Sequence, residues 1–242
     1  MLQIKKISIG IRPSNKMFRV GSLAGTIADE VLGLRGKKPI SDEYYKEVAQ
    51  DSNQGYLRLR NQDEGNIFQI DLENIIFSKD YYDKERKCDL DKVIEEFRLV
   101  WKAANGILQV KNIRRIGIVA EYRVEVKKET PSMFLLKSLT NLTNSKHPAK
   151  FALTFEERHI TKEGAMPDFK KDDFVNIIYS IYDSAADLDY PSENSYNINV
   201  DYQKLYSPLF SGNISDEIAK IKTQFNSCSS NFQAKLMERG LL

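Results

Sequence analysis

Apolar and polar residues alternate over 6–12, with Ile7, Ile9 and Ile11 on one side and Lys6, Ser8 and Arg12 on the other. Period two is the pattern of a half-buried strand. Pro13 and Ser14 end it, and Met17, Leu23, Ile27, Val31 and Leu32 then recur at helical spacing. Gly21 and Gly25 weaken that helix. Ser41, followed by Asp42 and Glu43, suits a second helix start. Residues 56–60 and 66–77 read as two strands on either side of Gln62-Asp63-Glu64-Gly65, a polar turn closed by glycine. On the second of these, Phe68, Ile70 and Leu72 share a face.

Leu90, Val93, Ile94, Phe97, Val100 and Trp101 trace an apolar helical stripe, with Asn105-Gly106 as its stop. Residues 110–126 form the most strand-like segment, placing Ile116, Ile118, Ala120, Tyr122 and Val124 on one face. A short helix over 131–142 and strands over 150–160, 174–182 and 196–202 follow. Asn213, with Asp216 and Glu217 behind it, caps a terminal helix running to about residue 239. Strands come in runs rather than in alternation with helices, which predicts an α+β fold. The expected architecture is antiparallel-rich sheets in two packed halves with a long C-terminal helix. The boundary falls at the charged stretch 127–131, giving an N-terminal half of residues 1–126 and a C-terminal half of residues 127–242.

Charge removes some functions from consideration. Lys and Arg number 36 against 34 Asp and Glu, so there is neither a polybasic nucleic-acid tail nor an acidic one. Residues 1–126 carry 22 basic and 19 acidic side chains, so that half is not polarised. Two cysteines, Cys88 and Cys228, exclude a disulfide framework and a four-cysteine zinc site. Arg12 interrupts the early apolar stretch, so no secretory leader is read there. No window approaches the roughly 20 apolar residues that span a bilayer. A cytoplasmic location is expected.

The strand Arg114-Arg115-Ile116-Gly117-Ile118-Val119-Ala120-Glu121-Tyr122-Arg123 resembles the R-I-G-L-R-Y strand of a sporadically distributed, uncharacterised bacterial family of about 250 residues. The Leu/Phe-rich helix before it is similar to the family's. So are the late strand Asn197-Ile198-Asn199-Val200-Asp201-Tyr202 and the terminal helix with its late Phe and short tail. Ala120 and Glu121 stand where the family has its R-Y start. The resemblance implies one folded unit over most of the chain and brings no activity, cofactor or catalytic residue with it.

Motifs for chemistry are sparse. Gly21, Gly25 and Gly33 are too scattered for a phosphate loop. His147 and His159 have no nucleophile signature beside them. Asp71 with Glu125-Val126-Lys127 spells a nuclease-like acid and E-x-K pair, a three-residue match that chance supplies often. Asp183, Asp187, Asp189 and Glu193 cluster around Tyr190-Pro191 without the spacing of a calcium loop. No cofactor and no metal site is expected.

Two surfaces remain as candidates. Arg12, Tyr56, Arg58, Arg60, Arg115 and Arg123, with Lys6 and Ser8, share one face if the first-half strands form one sheet. Cations and an aromatic on an open sheet hold single-stranded nucleic acid through phosphates and stacking. Gln69, Asp71, Glu73, Glu121 and Glu125 lie on comparable faces and oppose that reading, since mixed signs pair across strands. The terminal helix carries Ile214, Ile218, Ile221, Phe225, Cys228 and Phe232 at heptad spacing. Ile218, Ile221, Phe225 and Phe232 are the candidate self-association stripe, and packing of that stripe on the chain's own sheet is the competing reading. The pattern therefore predicts a non-enzymatic binding or assembly protein with a protein partner, a second copy through the C-terminal helix being one candidate. A nucleic-acid-associated protein is the alternative, and a metal-dependent nuclease stands third. No membrane partner is expected.

Overall fold

The computed structural model describes residues 2–82, 86–127, 129–140, 142, 146, 148–160, 168–184 and 194–242. Its elements run β1 (Ile4–Pro13), α1 (Val20–Leu32), β2 (Glu47–Asp51), β3 (Tyr56–Asn61), β4 (Asn66–Ile70), β5 (Ile75–Asp80) and α2 (Leu90–Leu108). They continue with β6 (Ile113–Glu125), α3 (Pro131–Leu139), β7 (Ala152–Ile160), β8 (Phe174–Asp183), β9 (Ser195–Phe210) and α4 (Ile214–Glu238). The nine strands form one sheet in the order β2-β3-β4-β5-β1-β6-β9-β8-β7, and every neighbouring pair is antiparallel.

The fold is α+β, antiparallel, with a long C-terminal helix. Its two halves are joined edge to edge, because β6, the last strand of residues 1–126, pairs with β9 from Ile113 to Glu125. One sheet therefore replaces the separate sheets expected. The first strand in sequence lies near the middle, between β5 and β6.

Period-two patterning places one row of apolar side chains across seven strands. Leu59, Phe68, Phe77, Ile9, Ile118, Tyr202 and Ile177 sit opposite one another in register. None is more than 5% exposed. All four helices cover this face. Phe97 of α2 meets Phe77, Phe134 of α3 stacks on Tyr196, and Tyr122 bonds to Ser229 of α4, while α1 packs on α2 and β3.

The caps explain the helix bounds. Asp89 accepts from the backbone N–H of Asp91 and Lys92 and opens α2. That helix passes the expected Asn105-Gly106 stop and ends at Gln109, which adopts φ 54° while its N–H returns to the Asn105 carbonyl. Asn213 opens α4 by accepting from Ser215 N–H at 2.9 Å.

Three expectations are corrected. No helix starts at Ser41; residues 41–46 are irregular, and Tyr44 and Tyr45 plunge into the core at 2% and 1% exposure. The strand expected over 66–77 is two strands, because Asp71 Oδ1 accepts from the N–H of Glu73 and Asn74, both at 2.8 Å, and turns the chain into a hairpin. The stripe Ile218, Ile221, Phe225 and Phe232 is spent on the chain's own sheet, with exposures of 0, 0, 1 and 7%. Self-association through those four side chains has no surface to use.

Two ion pairs lie under the helices. Lys79 Nζ is 2.6 Å from Glu96 Oε2, which also accepts from Tyr44 OH at 2.6 Å. Lys204 Nζ is 2.5 Å from Glu217 Oε1, with Tyr206 OH donating to the same oxygen at 3.1 Å. Burial lowers Lys79 from its usual range, and Glu96 partly restores it.

Emptying the centre of the core row gives a direct check. Ile118→Ala is expected to cost about 2–5 kcal/mol in a urea melt, the range for a buried aliphatic site; a midpoint within error of wild type would contradict the packing. The core also fixes an alkaline limit. Burial holds the phenols of Tyr44, Tyr45, Tyr81, Tyr196 and Tyr206 above the tyrosine range, and pushes Tyr122 up to about 12. It pushes the Cys88 and Cys228 thiols up to about 11. Each group holds its proton more tightly folded than unfolded, so its contribution is full below the unfolded value and is lost as pH rises past it. Melts at stepped pH are expected to plateau near neutrality and fall from between about pH 9 and 10, where unfolded thiols and phenols ionise. A midpoint unchanged to about pH 11 would contradict this.

Candidate functional site: a polar groove on the open sheet face

Among the described residues no helix covers the second face of the sheet, and its polar residues follow from the same alternation. One residue on from the apolar row, Arg58, Gln69, Ile76, Gly10, Gly117, Gln203 and Asn176 stand in register. Gly10 and Gly117 are direct partners on the two middle strands. With no side chain at either position, the sheet has a floor, and a groove of about 340 Å³ opens above it.

A Cβ on Gly10 would meet nothing within 4 Å, whereas one on Gly117 would stand 3.0 Å from the Tyr202 carbonyl oxygen. The fold thus explains Gly117 by close backbone approach and leaves Gly10 without a packing reason. Neither residue has a positive φ. A glycine inside a strand weakens it and marks a place where something else comes close.

The groove's lining carries both signs of charge. Lys6 and Arg115 face Glu121 and Asp201, with Ser8, Asn199 and Gln203 between them and Ile76 and Val119 as apolar patches. Arg115 Nη1 donates to Gln203 Oε1 at 3.1 Å, and Gln203 Nε2 donates to Asp201 Oδ2 at 2.6 Å. Burial raises the Asp201 carboxyl above the usual range, opposed by Gln203 and Arg115. Burial, and then Arg12, lower Arg115.

At the other end Glu121 is clasped by two phenols, Tyr82 OH and Tyr182 OH, the latter at 2.7 Å. Burial first, then Glu121, pushes Tyr182 up to about 12. Because Tyr182 gives its proton to Glu121, the Asn199 amide must turn its NH2 toward that hydroxyl, at 3.4 Å. Asn199 Oδ1 is left without a donor, as is Asn176 Oδ1 on β8. Acceptors exceed donors along this wall.

All six residues of the basic surface expected from the sequence do lie on this face, in two groups. Tyr56, Arg58 and Arg60 are on β3, while Arg12, Arg115 and Arg123 are on β1 and β6. Two strands intervene, putting the groups about 14 Å apart at ordinary strand spacing. Polar and acidic neighbours blunt their charge. Arg12 pairs with Glu73 at 2.5 Å and Arg60 with Glu47 at 2.5 Å. Arg123 donates to Ser195 Oγ at 2.8 Å and lies over the Tyr82 ring. The face is a charge mosaic.

Other expected sites disperse. Asp71 shapes the β4–β5 turn, and Glu125 ends β6 at the opposite end of the sheet, so no nuclease constellation forms. His159 is exposed beside Glu157 on the edge strand. Asp183 accepts from Ser132 Oγ, whereas His147, Asp187, Asp189, Tyr190, Pro191 and Glu193 lie outside the described residues. Among the described residues no group of three or more His, Cys, Asp or Glu is placed to hold a metal, and no helix is long and apolar enough to cross a membrane. No family model and no curated protein matches the chain.

The sequence reading missed Gly10, Gly117, Tyr182, Asn199, Asp201 and Gln203 as a group. A signal existed: both glycines sit mid-strand on the polar phase of a period-two pattern. The phenol clasp is open to test. Tyr182→Phe removes a hydrogen bond to a carboxylate and is expected to cost about 1.5 kcal/mol in chemical denaturation. An unchanged midpoint would mean that water serves Glu121 equally well.

Proposed function

We propose that the chain is a binding protein that works in the cytosol and takes a polar ligand of little net charge on its open sheet face. The observation that carries this reading is Gly10. A strand glycine costs about 0.5–1 kcal/mol relative to alanine, and here nothing in the fold occupies the space that it leaves. The gap instead floors a groove whose cations and anions balance. That balance supports a zwitterionic or neutral polar ligand over a polyanion, whose phosphates need an excess of cations. Two free, partly buried thiols fit a reducing compartment.

Gly10→Ala is expected to raise stability by about 0.5–1 kcal/mol, and Gly10→Leu to fill the groove. A thermal-shift screen of amino acids, short peptides, sugars and nucleosides is expected to yield a compound that raises the wild-type midpoint but not that of Gly10→Leu. If no compound separates the two proteins, the reading fails. If oligonucleotides alone bind, and weaken steeply with salt, the nucleic-acid alternative replaces it.

A further inference from the structure

The helix layer stops one strand short of the sheet. α4 packs on β6 and β9, and the edge strand β7 continues beyond it. Between β7, β8 and the last turns of α4 opens a cleft of about 540 Å³, on the helix side of the sheet and so on the opposite face from the groove. That volume lies within the range of small-molecule sites, which are mostly apolar with a few placed polar groups.

The walls are apolar and aromatic. Phe155, Tyr179 and Phe232 touch one another, with ring centroids 4.3 to 6.0 Å apart. Phe155 is still 40% exposed and its strand neighbour Leu153 37%, so the fold leaves both partly in water. On α4 the apolar stripe Cys228, Phe232 and Leu236 lines the cleft lengthwise. Its ends are eight helical steps apart, about 12 Å, which an acyl chain of about ten carbons matches.

The rim has a sign. Asn231, Lys235 and Arg239 repeat at every fourth position of α4 and line the same cleft. Lys235 and Arg239 are both exposed. Among the described residues one carboxylate lines the cleft, Glu157, and it sits 3.4 Å from His159. Cations therefore outnumber anions at the mouth of an apolar slot. The geometry points to a site for a small amphipathic acid, with its hydrocarbon body against Leu153 and Phe155 and its carboxylate on Lys235 and Arg239. Charge-assisted hydrogen bonds to those two side chains orient the molecule, and the aromatic walls take its chain out of water.

Calorimetric titration of the purified chain with decanoate, and with decylammonium as the same chain bearing the opposite charge, tests this. Wild type is expected to bind one decanoate, at least about tenfold tighter than decylammonium. The double change Lys235→Ala and Arg239→Ala removes that preference, a loss of about 1.4 kcal/mol for each tenfold. Phe155→Asp abolishes decanoate binding, and Leu153→Asp serves if that variant fails to fold. No saturable binding, equal binding of the two probes, or binding that survives the aspartate overturns the assignment. A dimer in the absence of probe that Phe155→Asp dissolves also overturns it, and gives the cleft to a second copy.

Discussion

Every layer of the molecule hangs on the antiparallel register between β1 and β6. Ile7, Ile9 and Ile11 stand opposite Ala120, Ile118 and Ile116, and each of the six is at most 1% exposed. A slip of one residue would carry all of them to the other face and bury Lys6, Ser8 and Arg12 in their place. The apolar phase of these two strands thus decides which face receives the helices. The polar phase of the same strands decides that the groove lies on the other. Site and core are two readings of one alternation.

The helices are located by more than apolar contact. Lys79 and Glu96 are 6% and 2% exposed and share their carboxylate oxygen with Tyr44, tying β5, α2 and the 41–46 segment together. Lys204, Tyr206 and Glu217 do the same for β9 and α4. Buried pairs gain little net stability, because desolvation offsets attraction. Breaking one costs about 3–5 kcal/mol, since the survivor is left uncompensated. Any docking of α2 or α4 that separates these partners carries that penalty, so the pairs select one placement among several with similar apolar contact.

Strong periodicity made β1, β6, β9, α2 and α4 legible, because each has a long stripe facing one neighbour. Weak or interrupted stripes hid the rest. β2 is exposed at all but its last residue, so no apolar phase marks it. Leu72 extended the apolar phase of Phe68 and Ile70 past the Asp71 turn, and side-chain capping of the backbone overrode it. The terminal heptad was read correctly as a stripe, but a stripe does not name its partner. Here the partner is the chain's own sheet. The six basic-face residues share a phase, but strand order, which alternation cannot reveal, splits them into two groups and brings Glu47 beside Arg60. Gly10 and Gly117 are 107 residues apart, and only the pairing of β1 with β6 makes them one floor.

Geometry also explains why two uncovered regions exist and why their chemistry differs. Nine strands at about 4.8 Å make a sheet roughly 40 Å wide, and a helix covers about 10 Å of it. Three long helices and the short α3 do not reach both edges. The shortfall appears at β7, where Leu153 and Phe155 project on the apolar side and α4 covers them only in part, through Phe232. On the reverse side the central hollow is lined mainly by charges and amides, with Ile76 and Val119 as its apolar patches. An occupant of the edge cleft gains by leaving water, whereas an occupant of the groove must replace the water it displaces with hydrogen bonds to Asn199, Asp201 and Arg115. One register therefore sets two opposite demands on whatever binds, hydrocarbon at the edge and hydrogen-bonding groups at the centre.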